Sequence, residues 1–250
     1  SSTCETWRII GVFDGKIKLI RGSQIGTYAW DNKNISTGAE TANGKNDWTD
    51  ARLMKLLNPG YESKTTGGSL YYNAKSGNCY SGQSNATKAC NFTFNVTASP
   101  YVCSFLKKPS LGGHNSFSVY PNQIYEKERG TTVYSGRPTE WTGKIALAYP
   151  SDYGYAADLG KCSQNLNNYN NSTCTSNNWM KAIVAPNYGW LLTPRSGIAS
   201  NVWYVYSSGG VYYNSYVYNA YGVAPVLFLN SDANVKSGTG TSSDPYQISV

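Results

Sequence analysis

Apolar positions along the chain come in short runs, each broken within a few residues by glycine, asparagine or another turn former. Runs of that length, rich in Val, Ile, Tyr and Trp, predict strands and loops in preference to long helices. Residues 6–21, TWRIIGVFDGKIKLIR, place two β-branched runs around Asp14-Gly15 and predict a hairpin, because Asp-Gly tolerates the left-handed backbone of a two-residue turn. GTYAWDN predicts a further extended segment, and 31–46 a polar loop. A helix is predicted over 47–57, DWTDARLMKLL. Asn46 or Asp47 is placed to cap it, Asp50 lies in its first turn, and Trp48, Leu53, Leu56 and Leu57 recur at helical spacing before Asn58-Pro59-Gly60 stops it.

A shorter helical pattern covers 118–128. From 61 to 115 the chain is polar, glycine-rich and cysteine-bearing, and reads as an insertion with little regular structure. TGKIALAYP at 142–150 predicts a strand followed by the turn-rich SDYGYA, and 159–178 an Asn-rich loop. Strands are then expected at about 189–193, 202–206, 211–218 and 222–229. SGTGTSSDPYQI closes the chain with a glycine-rich turn and a short strand. No internal repeat and no domain boundary emerges, so residues 1–250 read as one domain carrying an insertion at about 61–115.

The segment Trp190–Leu229 departs from both core and surface norms. No charged residue lies between Arg195 and Asp232, yet seven tyrosines fall between Tyr204 and Tyr221, interleaved with Ser, Gly, Asn and Val. Tyrosine offers a large, stiff contact area with a polar tip, and Ser, Gly and Asn add adaptable hydrogen bonds, the mixture that binding loops favour. Strand alternation sets Trp203 and Val205, assigned to the core, opposite Tyr204 and Tyr206. It groups Tyr212, Asn214, Tyr216 and Tyr218 against Val211, Tyr213, Ser215 and Val217. The candidate contact residues are Tyr188, Trp190, Tyr204, Tyr206, Tyr212, Asn214, Tyr216, Tyr218, Asn219 and Tyr221. Cross-strand aromatic pairs also stabilise sheets by themselves, and at least half of the seven tyrosines are expected in that structural role.

Composition narrows the function further. Six cysteines, at 4, 79, 90, 103, 162 and 174, in a chain rich in polar residues suggest export and oxidation. Cys79 with Cys90 and Cys162 with Cys174 each bracket a short loop, which leaves Cys4 for Cys103. The net charge of +7 is scattered, with Lys107-Lys108 and the Lys127/Arg129 neighbourhood as the local concentrations. The tyrosine-rich stretch from Tyr204 to Tyr221 holds no Lys or Arg, so no nucleic-acid partner is expected. No apolar stretch is long enough to span a bilayer, and SSTCETWR does not read as a signal peptide. The chain is expected to be a mature or excised soluble piece.

Chemistry finds little support. Glu126, Glu128, Glu140, Asp152 and Asp158 sit in no motif and are expected to be mostly solvated surface groups. His114, the sole histidine, lies in the flexible-looking LGGHNS, and no GxSxG elbow accompanies it. No CxxC pair suggests a metal, and no cofactor is expected.

The first hairpin, DWTDARLMKLLN, KIALAYPSDYGYA, WLLTP, the WYV…GGV pair, GVAPVLFL and the ending SGTGTSSDPYQI together resemble a large bacterial family of C-type-lectin-like fold. The resemblance spans most of the chain, apart from roughly 75–115 and 160–178. It implies an α+β domain, strand-rich with one or two helices, in a family whose members are often secreted or tethered to the cell surface. The same fold serves formylglycine-generating enzymes and the variable receptor-binding proteins that diversity-generating retroelements mutate, whose variable side chains cluster near the C-terminus. The enzymes' reactive cysteine pair has no counterpart after Cys174, and the Glu-Pro-Asn or Gln-Pro-Asp loop of calcium-dependent lectins is missing. Relatives carry Gly-Val-Arg-Pro-Val where this chain has Gly222-Val223-Ala224-Pro225-Val226. The expectation is a non-enzymatic extracellular adhesin or receptor-binding domain, displayed on a pilus or cell surface and open to retroelement diversification, taking a protein or glycan receptor. The alternative is a self-assembling subunit of an extracellular filament or surface layer, such as a pilin.

Overall fold

The computed structural model describes residues 6–31, 43–58, 76–78, 89–91, 110–229 and 233–249. Among them the architecture is α+β, with strands predominating and a few short helices. The predicted hairpin is present as β1 (Trp7–Phe13) and β2 (Lys16–Arg21). Asp14 and Gly15 both take positive φ, 52° and 76°, so the turn twists in the sense that the flanking strands require. β2 continues into β10 (Val226–Phe228), which gives a three-stranded antiparallel sheet ordered β1-β2-β10.

The larger sheet is ordered β3-β9-β6-β7-β8 and combines β3 (Thr27–Ala29), β6 (Gly189–Pro194), β7 (Asn201–Val205), β8 (Val211–Tyr216) and β9 (Ala220–Gly222). Its pairs are antiparallel apart from β6 and β9, which meet in parallel at Gly189 and Gly222. Gly189 is forced by close approach, since a Cβ there would lie 1.7 Å from the Val184 carbonyl, while a Cβ on Gly222 would displace the Gln24 side-chain amide that donates to the Val184 and Tyr188 carbonyls. Two short ladders complete the strands, β4 (Ser76–Asn78) with β5 (Ala89–Asn91) and β11 (Asn234–Ser237) with β12 (Gln247–Ser249).

Core lies on both faces of the five-stranded sheet, which is why every residue of β6 and β7 is buried. One face carries Trp190, Leu192, Val202 and Tyr204 against Trp30, Trp48, Trp141 and α1 (Arg52–Leu57). The other carries Leu191, Trp203, Val205 and Val211 against α2 (Pro121–Glu128), α3 (Pro150–Tyr155) and α5 (Lys181–Val184). Trp190 and Trp30 lock the first face through the backbone, their indole nitrogens donating to Tyr28 O (2.8 Å) and Leu191 O (3.2 Å).

Several expectations need correction. The first helix begins at Arg52, because Asp47 accepts from the Thr49 amide and hydroxyl and closes a separate turn ahead of it. Residues 142–149 form no continuous strand. Their partners change along the segment, from the Asn58 side chain at Lys144 and Ile145, to Val226 at Ala146, to Leu192 at Ala148. SDYGYA is mostly helix. α2 and α3 start alike, with Tyr-Pro followed by a side chain that accepts from the tyrosine amide: Gln123 from Tyr120 N (3.0 Å), Asp152 from Tyr149 N (2.7 Å). Proline at the first helical position and an acceptor two residues on is a helix-start signature.

The Asn-rich segment holds a 3-10 turn at Leu166–Asn168 and α4 (Ser172–Ser176), tied by the expected Cys162–Cys174 disulfide. The pairings Cys4–Cys103 and Cys79–Cys90 fall outside the described residues. LGGHNS is pinned in place: Gly112 N donates to Glu128 O, Gly113 N to Thr132 O, and His114 bridges Arg195. Among the described residues no helix is long and apolar enough to cross a membrane.

Candidate functional site

The parallel contact between Gly189 and Gly222 places Tyr188 and Tyr221, one residue before each glycine, side by side. Their rings stack at 4.8 Å with only 16° between planes. Tyr206, just past the end of β7, packs edge-on to Tyr188 at 4.7 Å, and Tyr212 on β8 stands 6.0 Å from Tyr206. Phe117 extends the row, 5.7 Å from Tyr212 and stacked at 4.0 Å on Tyr213. Beneath lie Trp190, 4.5 Å from Tyr221, and Tyr204, 5.4 Å from Tyr221 and 6.1 Å from Tyr212. The result is a slab with Tyr188, Tyr206, Tyr212 and Tyr221 at its surface and two buried aromatics as its floor.

Among the expected contact residues, Trp190 and Tyr204 are thus placed under the patch, 2 % and 8 % exposed, where a partner does not reach them. Alternation correctly set Tyr204 opposite Trp203, but the Tyr204 face is covered by a second core layer. Tyr206 is 39 % exposed, and Tyr188, Tyr212 and Tyr221 are half-buried. In β8, Val211 and Ser215 are buried while Asn214 and Tyr216 are exposed, so the predicted division of that strand holds. Tyr216 and Tyr218 form a separate stacked pair at 5.3 Å near the β8–β9 turn, where Asn219 donates to Ser215 Oγ (2.9 Å). Asn214 joins the two groups by accepting from the Tyr204 hydroxyl at 3.4 Å.

The slab is uncharged. A hydrogen bond with the Tyr206 side chain, then burial, raises the Tyr188 phenol above its ordinary range, and burial does the same for Tyr204. These hydroxyls therefore stay protonated near neutral pH, as donors and acceptors beside apolar ring faces. Rings with polar tips suit either a sugar face or a peptide surface.

A second site went unnoticed in the sequence. A cavity of about 300 Å³ opens between β1, α2 and α3, walled by Phe13, Tyr125, Tyr155 and Trp179 with Ser151 and Asp152 among its lining. Glu128 and Asp152, expected at the surface, are buried, while Glu126, Glu140 and Asp158 are exposed as expected. Glu128 accepts from the Ser151 amide at 2.9 Å and from its hydroxyl. Burial, reinforced by the nearby Asp152 charge, pushes its carboxyl up to about 8. Asp152 pairs with Lys18 at 2.5 Å. The signal in the sequence was the proline-led helix start, which turns Ser151 and Asp152 inward. Among the described residues no group of His, Cys, Asp and Glu side chains is arranged to hold a metal ion.

Comparison with protein-family models, with curated proteins and with solved structures finds no match for this chain.

Proposed function

We propose that this chain is a non-enzymatic extracellular binding domain of C-type-lectin-like fold, an adhesin or receptor-binding module that takes a protein or glycan on the tyrosine slab. The half-exposed, uncharged stack of Tyr188, Tyr206, Tyr212 and Tyr221 carries this reading. Phenol rings already packed on one another lose little conformational freedom on binding, and aromatic anchors dominate interface energies. Asn214 and Tyr216, exposed on the same strand, extend the surface with hydrogen-bonding groups. Display on a pilus or cell surface, and diversification by a retroelement, belong to the same proposal through the resemblance of its motifs.

The test is binding of the purified chain to a printed glycan array and to a panel of purified host surface proteins, with Tyr206→Ala and Tyr221→Ala beside the wild type. Loss of roughly thirtyfold in affinity is expected for a central anchor. Equal binding by both variants and the wild type excludes the slab as the contact surface. A second reading, a filament or surface-layer subunit such as a pilin, is favoured by Ile9 and Val12, 51 % and 66 % exposed on β1, whose outer edge pairs with no described strand. Exposed strand edges of that kind invite pairing between copies. Ordered assembly of the chain alone in analytical ultracentrifugation distinguishes this reading from the first.

A further inference from the structure

Lys18 and Asp152 meet far from the tyrosine slab, under conditions that favour more than an ion pair. Lys18 projects from the centre of the β1-β2-β10 sheet and Asp152 from the first turn of α3, 134 residues away. Their side chains are 3 % and 2 % exposed, with Nζ 2.5 Å from Oδ2. Rings surround the amine: Tyr149 at 4.6 Å, Phe13 at 5.3 Å and Phe228 at 5.8 Å from Nζ to their centroids. The Tyr149 amide also donates to Oδ2, at 2.7 Å, so both of these bonds fall on one carboxylate oxygen. Asp152 lines the cavity described above, beside Ser151, whose hydroxyl reaches the buried Glu128.

We propose that Lys18 and Asp152 condense to an intramolecular amide that staples the N-terminal hairpin to α3. The proton passes from Nζ to the carboxylate, giving a neutral amine and a carboxylic acid. The nitrogen lone pair attacks Cγ, and a C–N bond forms as the carbonyl π bond opens. The Tyr149 amide steadies the charge developing on Oδ2. Collapse breaks the Cγ–Oδ1 bond, and Oδ1 departs as water into the cavity with one proton from nitrogen and the carboxyl proton. One amine and one acid become one amide and one water, and no oxidant or further reactant is consumed.

Three features favour the step. Water is excluded from the pair, so the separated ions lose the hydration that keeps amines and acids apart in solution. Nζ is held against Oδ2, the oxygen bonded to the carbon it attacks, and oriented intramolecular reactions reach effective concentrations of about 10⁵–10⁸ M. Glu128 retains its proton near neutrality and is hydrogen-bonded to Ser151, the residue preceding Asp152, so it supplies a proton carrier next to the reacting residue in the chain. A single turnover per chain suffices, and the product is a neutral group whose carbonyl still accepts from Tyr149 N.

Intact mass spectrometry of the folded full chain after complete reduction tests the proposal. The expected mass is one water below that of the sequence, with a branched peptide joining the segments that hold Lys18 and Asp152 on digestion. Lys18→Arg, checked for folding by circular dichroism, is expected to restore the full mass, and so is Glu128→Gln. A wild-type chain of full sequence mass overturns the proposal. So does water loss confined to a linear peptide at Asp152, the mark of a succinimide. Retention of the branched peptide in Glu128→Gln overturns the part given to Glu128.

Discussion

Truncating Tyr204 and Tyr206, two residues apart on one strand face, separates the floor of the slab from its surface. Tyr204 is 8 % exposed, with the rings of Tyr221, Tyr212, Trp190 and Tyr188 all within 6.4 Å. Removing a buried aromatic ring leaves a cavity that rigid neighbours cannot refill, at a cost of about 3–5 kcal/mol. For a chain of this length each kcal/mol moves the thermal midpoint by about 2–4 °C, so Tyr204→Ala is expected to lower it by about 6–20 °C. Tyr206, 39 % exposed, keeps one close ring partner in Tyr188. Loss of one aromatic pair is worth about 0.5–1.5 kcal/mol, hence a fall of about 1–6 °C in Tyr206→Ala. Tyr204→Phe removes only a long 3.4 Å hydrogen bond to Asn214 and should cost about 0.5 kcal/mol. Differential scanning calorimetry at one scan rate measures all three. Equal falls for the two alanine variants would refute the assignment of Tyr204 to the interior.

Two further outcomes follow from buried groups. Glu128 titrates at about 8 in the folded chain against 4.5 for an ordinary glutamate. Between those values the unfolded chain has released a proton that the native chain retains, so stability is greatest below about 4.5 and falls as pH rises to about 8. Glu128→Gln should flatten that slope in urea titrations run across the window, and an unchanged slope would locate the titrating group elsewhere. Reduction of Cys162–Cys174, which closes a loop of 12 residues, should lower stability by about 3 kcal/mol. Urea midpoints with and without reductant, compared with a Cys162→Ser/Cys174→Ser variant to exclude effects on other cysteines, give the measurement. A variant midpoint equal to that of the oxidised wild type contradicts the role of this bridge.

Local features were legible wherever the determinant was local. Asp14-Gly15 dictates a left-handed turn pair regardless of its surroundings, and the hairpin follows. Three of the strands expected after Tyr188 show in their β-branched and aromatic runs as β6, β7 and β8, and Cys162 with Cys174 in their spacing. The single strand expected at 222–229 is divided between β9 and β10, which belong to different sheets. The helix expected over 118–128 is present as α2, whereas α3 begins at Pro150, which the pattern assigns to the end of a strand. Tyr149-Pro150-Ser151-Asp152 has the same start as Tyr120-Pro121-Asn122-Gln123, and both lead into helices. The 142–149 segment carries strand-like residues, yet successive positions bond to Asn58, β10 and β6, so no ladder propagates. Asn46 shows a similar limit: proposed as a cap, it sits buried with its amide nitrogen within reach of the carbonyls of Arg195, Ile198 and Asn201.

The amino-acid order by itself determined an α+β chain of short strands with a charge-free, tyrosine-rich belt near its C-terminus, because period-two alternation and turn residues act over a few positions. It also determined which side chains of each strand share a face. Only the tertiary structure decided what lies across from each face. Core covers both sides of β7 and seals Tyr204, while Tyr206, one step beyond the strand, escapes to the surface. Contact between Lys18 and Asp152, 134 residues apart, likewise depends on a helix packing against a sheet that joins the N-terminal hairpin to β10. Burial is a property of two surfaces brought together, and a strand pattern describes only one of them.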